Sequence, residues 1–110
     1  MIIQLNTDHN IQSTERLVSR VEASLGSSLE RFKDHVTRVE VHLSDENGAQ
    51  KSGVDEMRCM LEARLEHHQP VVVTNTAMTV EQAIDGAATK MRHALDSLLG
   101  KLAERHAPVS

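Results

Sequence analysis

The chain has 110 residues, 39% hydrophobic and 25% charged, the balance of one globular domain rather than a disordered segment. Its formal net charge of −4 argues against wholesale polyanion binding but leaves room for a local basic face, because net charge and charge distribution are separate quantities. The longest apolar run, Val71–Val73, is far short of the roughly 20 residues of a membrane span, the opening Met1–Asn6 has no secretory-signal pattern, and the single Cys59 excludes a disulfide framework and a cysteine-rich zinc site. A cytosolic protein is therefore expected.

In chain order, Ile3 and Leu5 alternate with Gln4 and Asn6, which predicts a first strand over about 2–6. Thr7-Asp8-His9-Asn10 is turn chemistry, and Ser13 is placed to cap a helix. Leu17, Val21, Leu25, Leu29 and Phe32 make one helical stripe, predicting a helix over 14–33 with Gly26 inside it. The period then changes to two. Val39, Val41 and Leu43 share one side of a second strand, and Arg38, Glu40 and His42 share the other. A polar loop from Ser44 to about Glu56 carries an Asn47-Gly48 turn signal. Cys59, Leu61, Ala63 and Leu65 alternate as a third strand, His67-His68-Gln69 forms a short connection, and Pro70 opens a fourth strand through Thr74. Thr79-Val80-Glu81-Gln82 fits a capping box. Ile84, Ala88, Met91, Leu95, Leu98, Leu99 and Leu102 then stripe a helix over about 80–105.

The order strand, helix, strand, strand, strand, helix predicts an α+β, two-layer sandwich: a four-stranded sheet with both helices on one face and water on the other. The connection through the first helix suits parallel strands, and the later strands suit antiparallel hairpins. No linker divides the chain, so one domain over 1–106 with a short tail over 107–110 is expected. Leu25, Leu29, Phe32, Val39, Val41, Leu61, Ile84, Met91, Leu95 and Leu98 are its expected core.

Several segments resemble one family. Ile3-Gln4-Leu5-Asn6 with Asn10-Ile11, and Leu29-Glu30-Arg31-Phe32-Lys33-Asp34 leading to Val39-Glu40-Val41-His42-Leu43, are similar to the opening half of ribosome hibernation-promoting and ribosome-associated translation inhibitor proteins. Ala83-Ile84-Asp85 followed by Lys90 resembles the start of that family's second helix. The segment Val41–Gly48 with Arg58–Arg64 resembles one proteobacterial-type branch. The resemblance covers nearly the whole chain. It implies a non-enzymatic β-α-β-β-β-α protein, without cofactor, that settles on the small ribosomal subunit and blocks translation. Neither membrane nor DNA is an expected partner. Because the chain ends at Ser110, the resemblance is to the short form, without the dimerising C-terminal domain; the sequence leaves oligomeric state open.

The residues can be weighed independently of that likeness. At 100° per residue, Arg16, Arg20 and Arg31 fall within roughly 60° of one another, with Glu15, Glu22 and Glu30 on the other flank. Lys90, Lys101 and Arg105 do the same on the second helix, with Glu81, Asp85 and Asp96 opposite. Each helix surface is thus divided by sign. Solvated faces are the plain explanation. The sharper expectation is two basic rows meeting at the groove between the helices and neutralising phosphates without reading sequence. Phe32 is the one aromatic residue apart from histidines, and its stripe position makes it core, so base stacking is not expected. The seven histidines include no spaced H-x-x-x-H pair, so no metal site is expected.

The expectation that results is a ribosome-associated hibernation factor in which Arg20, Arg31, Lys90, Arg92 and Lys101 contact ribosomal RNA phosphates, with Arg16 and Arg105 as second choices. Its alternative is a non-ribosomal protein-interaction module on the same fold. That alternative is motivated by the acidic balance and by Ser24 and Ser27-Ser28 standing where the family commonly places lysines.

Overall fold

The computed structural model describes residues 1–46 and 56–106, with side chains as far as Gly100. Its elements are β1 (Ile2–Thr7), α1 (Glu15–Ser28), a 3-10 turn (Glu30–Phe32), β2 (Val36–Asp45), β3 (Met57–Leu65), β4 (Val71–Ala77) and α2 (Val80–His106). The Asn47-Gly48 turn signal and the tail over 107–110 lie outside the described residues.

Thr14, not Ser13, caps α1, its hydroxyl accepting the amide of Leu17 at 3.1 Å. The helix stops at Ser28 instead of running to 33. Ser27 and Ser28 are weak helix formers, and the tighter turn that follows carries Phe32 into the core, where it is 4% exposed. On α2, the Thr79 hydroxyl accepts the amide of Gln82 at 3.1 Å, half of the expected capping box.

The strands are ordered β1-β2-β3-β4, with β1 parallel to β2 and the remaining pairs antiparallel. Period-two alternation points Val39, Val41, Leu43, Cys59, Leu61 and Ala63 toward the helices, all buried. Val36 is buried as well, an odd number of positions from Val39. A register shift between Val36 and Arg38 lets both face inward. The core closes with Val21, Leu25 and Leu29 from the first helical segment and Ala83, Ile84, Ala87, Ala88, Met91 and Leu95 from α2. Leu98 is only partly buried at its rim. The small residues Ala83, Ala87 and Ala88 let α2 lie close on the sheet.

The topology also sets the relative direction of the helices. β1, β2 and β4 run one way and β3 the other. α1 follows β1 and α2 follows β4, and each turns back over the same sheet face, so the two helices run in the same sense.

Candidate nucleic-acid interface

Two parallel helices on one sheet keep a constant residue offset along their shared groove. Arg20 Nη2 donates to Asp85 Oδ2 at 2.6 Å, and Arg31, just past α1, donates to Asp96; both pairs are 65 residues apart. Arg16 and Glu81, separated by the same interval, line a cleft at the N-terminal end of the groove with Thr14, Leu17 and Arg20. Ser24 donates to the second oxygen of Asp85 at 2.9 Å, so both oxygens of that carboxylate are engaged from α1. The Arg31 guanidinium also lies 5.1 Å from the centroid of the Phe32 ring.

This arrangement corrects one expectation. Among the described residues, the basic rows of the two helices do not meet at the groove. The basic flank of the first helical segment meets the acidic flank of α2. Asp85 and Asp96 are the partners of Arg20 and Arg31 that periodicity on single helices missed. The available signal was their spacing, which repeats that of Arg20 and Arg31.

Lys90, the one member of the basic flank of α2 among the residues with described side chains, turns instead toward the sheet edge. Lys90 Nζ donates to the Thr74 carbonyl of β4 at 2.9 Å. Because β4 pairs only with β3, that carbonyl lies on the last strand of the sheet, where a lysine discourages pairing with other strands. Arg92 is exposed and has no ion pair among the described residues. Lys101 lies within α2, but its side chain and that of Arg105 fall outside the described residues. Of the five expected phosphate contacts, then, Arg20 and Arg31 are brought together in the groove with carboxylates, Lys90 stands apart at the sheet edge, and Arg92, seven residues after Asp85 and four before Asp96, shares the α2 flank of the two aspartates.

The arginine side chains are 47% and 62% exposed and their aspartates 50% and 41%. Pairs this wet are worth about 0–1 kcal/mol each. They orient the guanidiniums along the groove without locking them there.

The outer sheet face is charged in both signs. Glu40 and Glu62 stand opposite each other on β2 and β3, with Arg64 Nη2 at 3.3 Å and 3.0 Å. A hydrogen bond with Glu62, and then the Arg64 guanidinium, hold the Glu40 carboxyl below its ordinary range. Arg58 approaches Glu46 at 3.4 Å. Cys59 is fully buried on the inner face, and burial pushes its thiol up to about 12. Among the described residues, no group of three or more His, Cys, Asp or Glu side chains is placed to hold a metal ion, and no helix is long and apolar enough to cross a membrane.

The sequence model of a family described as sigma 54 modulation protein / S30EA ribosomal protein matches residues 5–103. In structure, the chain is similar to the N-terminal domain of Protein Y from Thermus thermophilus. The TM-score is 0.71 at 22% identity, covering 89% of this chain and 99% of that one. It is similar also to a ribosomal subunit interface protein from Coxiella burnetii, with a TM-score of 0.70 at 14% identity, covering 91% and 99%. At these identities the likeness is one of fold. No curated protein sequence matches the chain.

Proposed function

The chain belongs to the sigma 54 modulation / S30EA ribosomal protein family, and from that premise we propose that it is a ribosome-associated factor that binds the small subunit and restrains translation. The observation that carries this reading is the family match over residues 5–103, nearly the whole described fold. It is supported by the ribosomal subunit interface protein that shares the fold over 91% of this chain. No acid–base or nucleophile constellation accompanies it among the described residues, and the role needs none: occupying a surface is sufficient.

In the proposed mode, Arg20, Arg31, Lys90, Arg92 and Lys101 contact RNA phosphates. These are backbone contacts that position the protein without reading bases. The geometry ranks them. Arg92 meets phosphate directly. Lys90 must leave a neutral carbonyl. Arg20 and Arg31 must leave carboxylates. The protein-interaction alternative draws its support from the same two arginines, whose charges are already matched within the chain.

Co-sedimentation with small subunits across a salt series at fixed magnesium tests the proposal. Five phosphate contacts give a log affinity against log salt slope of roughly −3.5 to −4.5, taking about 0.7 to 0.9 per contact. Arg92→Ala should weaken binding and flatten the slope by roughly one unit. Binding that ignores salt, or that survives alanine at all five positions, sinks the phosphate mechanism. No binding at any salt moves the assignment to the interaction module.

A further inference from the structure

The interhelical ladder has a property that phosphate binding alone does not require. Asp85 and Asp96 occupy two of the guanidiniums along the groove, those of Arg20 and Arg31, and Ser24 holds Asp85 in place from the same side as Arg20. An incoming phosphate exchanges one charge-assisted hydrogen bond for another of similar strength, so a single exchange gains little. It also meets the displaced carboxylate, of its own sign. The cost therefore falls on every polyanion, and it is offset only when several phosphates engage the surface together.

We propose that Asp85 and Asp96 are specificity-determining residues: they mask Arg20 and Arg31 against flexible or isolated polyanions. The groove then yields to a rigid phosphate array that replaces both carboxylates at once. The inference rests on the proposed RNA-binding role and concerns the selectivity of that same surface. The two aspartates are eleven residues apart on α2. At 1.5 Å rise per residue they lie on one helix face roughly 16 Å apart. A folded RNA holds phosphates at fixed separations of this order. A flexible single strand must be ordered to do so, and ordering opposes binding. Discrimination comes from a repulsive element built into the site as much as from the attractive one.

Poly(U) is the probe, with fluorescence anisotropy across a salt series on the full chain. Asp85→Asn with Asp96→Asn removes both masks. At position 85 the asparagine oxygen still accepts from Ser24. Glu15→Gln with Glu22→Gln, on the far flank of α1, makes the same change in net charge away from the groove and serves as the control. The aspartate double variant should bind poly(U) about fourfold to twenty-five-fold more tightly than the control. That range is roughly twofold to fivefold per rung, the strength of an exposed ion pair. Its salt slope should steepen by roughly 1.4 as two single-strand phosphate contacts are added. Adding Arg20→Gln and Arg31→Gln, which restores the native net charge, should return it to the level of the native chain. The single Asp96→Asn variant leaves the Asp85 cluster intact and should show one rung's gain, which keeps the test available if the double variant unfolds.

Equal poly(U) binding by the aspartate variants and the control overturns the masking, even where the native chain sediments with small subunits in a salt-dependent way. Tighter poly(U) binding by the aspartate variants upholds the masking, even where the native chain ignores ribosomes; in that case it is the ribosomal role that falls.

Discussion

A β-carbon added to Gly86 would stand 2.1 Å from Nδ2 of Asn75, inside any real contact distance. That amide donates toward the carbonyls of Gln82 and Ala83 at 3.4 Å and 3.3 Å, tying β4 to the first turns of α2. Gly86 is therefore the opening through which the strand's side chain reaches the helix backbone. Gly86→Ala should cost about 1–3 kcal/mol by overpacking. In an Asn75→Ala background the same change should become neutral or favourable, since alanine outranks glycine in a helix by about 1 kcal/mol. Urea denaturation of the four chains of this cycle measures the coupling. Additive effects would mean that the two residues do not meet.

Gly26 supplies the opposite case. It lies inside α1, and a β-carbon added there would find nothing within 4 Å. Gly26→Ala should raise stability by about 0.4–1 kcal/mol, chiefly by restricting the unfolded chain. A loss in the same denaturation assay would place unseen contacts on that face.

Leu95 is fully buried between α2 and the sheet. Leu95→Ala should cost about 2–5 kcal/mol, the range set by how far the core collapses around the cavity. A change below about 0.5 kcal/mol, the scale of surface substitutions, would mean that the α2 stripe faces water.

Cys59 faces the helices from β3 with its thiol pushed up to about 12. At pH 8 a thiol reagent should modify it only through opening of the fold, and quickly once urea unfolds the chain. Immediate labelling of the native chain would contradict its inward placement.

Glu40 predicts an acid limb. Its carboxyl is lowered by the hydrogen bond with Glu62 first and by Arg64 next. A carboxyl lowered in the folded state adds stability above its unfolded value, near about 4.3, and loses it as pH falls through the folded value. Glu40→Gln should therefore flatten the decline of Tm below about pH 4.3. Circular dichroism melts of both chains over that interval check it; parallel curves would leave Glu40 without a part in acid stability.

Much of the fold was legible because it depends on local periodicity. Val39, Val41 and Leu43 alternate, Leu17 through Leu25 recur at helical intervals, and each pattern has one element that buries it. The order of elements then left few ways to cover one sheet face. The end of α1 was not legible, because Leu25, Leu29 and Phe32 suit a continuous helix as well as a helix followed by a 3-10 turn. The bulge that brings Val36 inward was hidden too, since it is a property of the β2–β3 pairing.

The candidate site divides in the same way. Periodicity on one helix places Arg20 and Arg31 on a single flank, and Asp85 and Asp96 on a single flank of the other. Which flanks face each other depends on the direction, rotation and offset of two helices separated by three strands in the chain. The parallel β1–β2 crossover and the seat of Ala83, Ala87 and Ala88 on the sheet decide these. Composition and local pattern determine which charges a helix carries and on which side. Only packing decides whether the charge across the groove is its like or its opposite, because that choice turns on contacts between residues 65 positions apart.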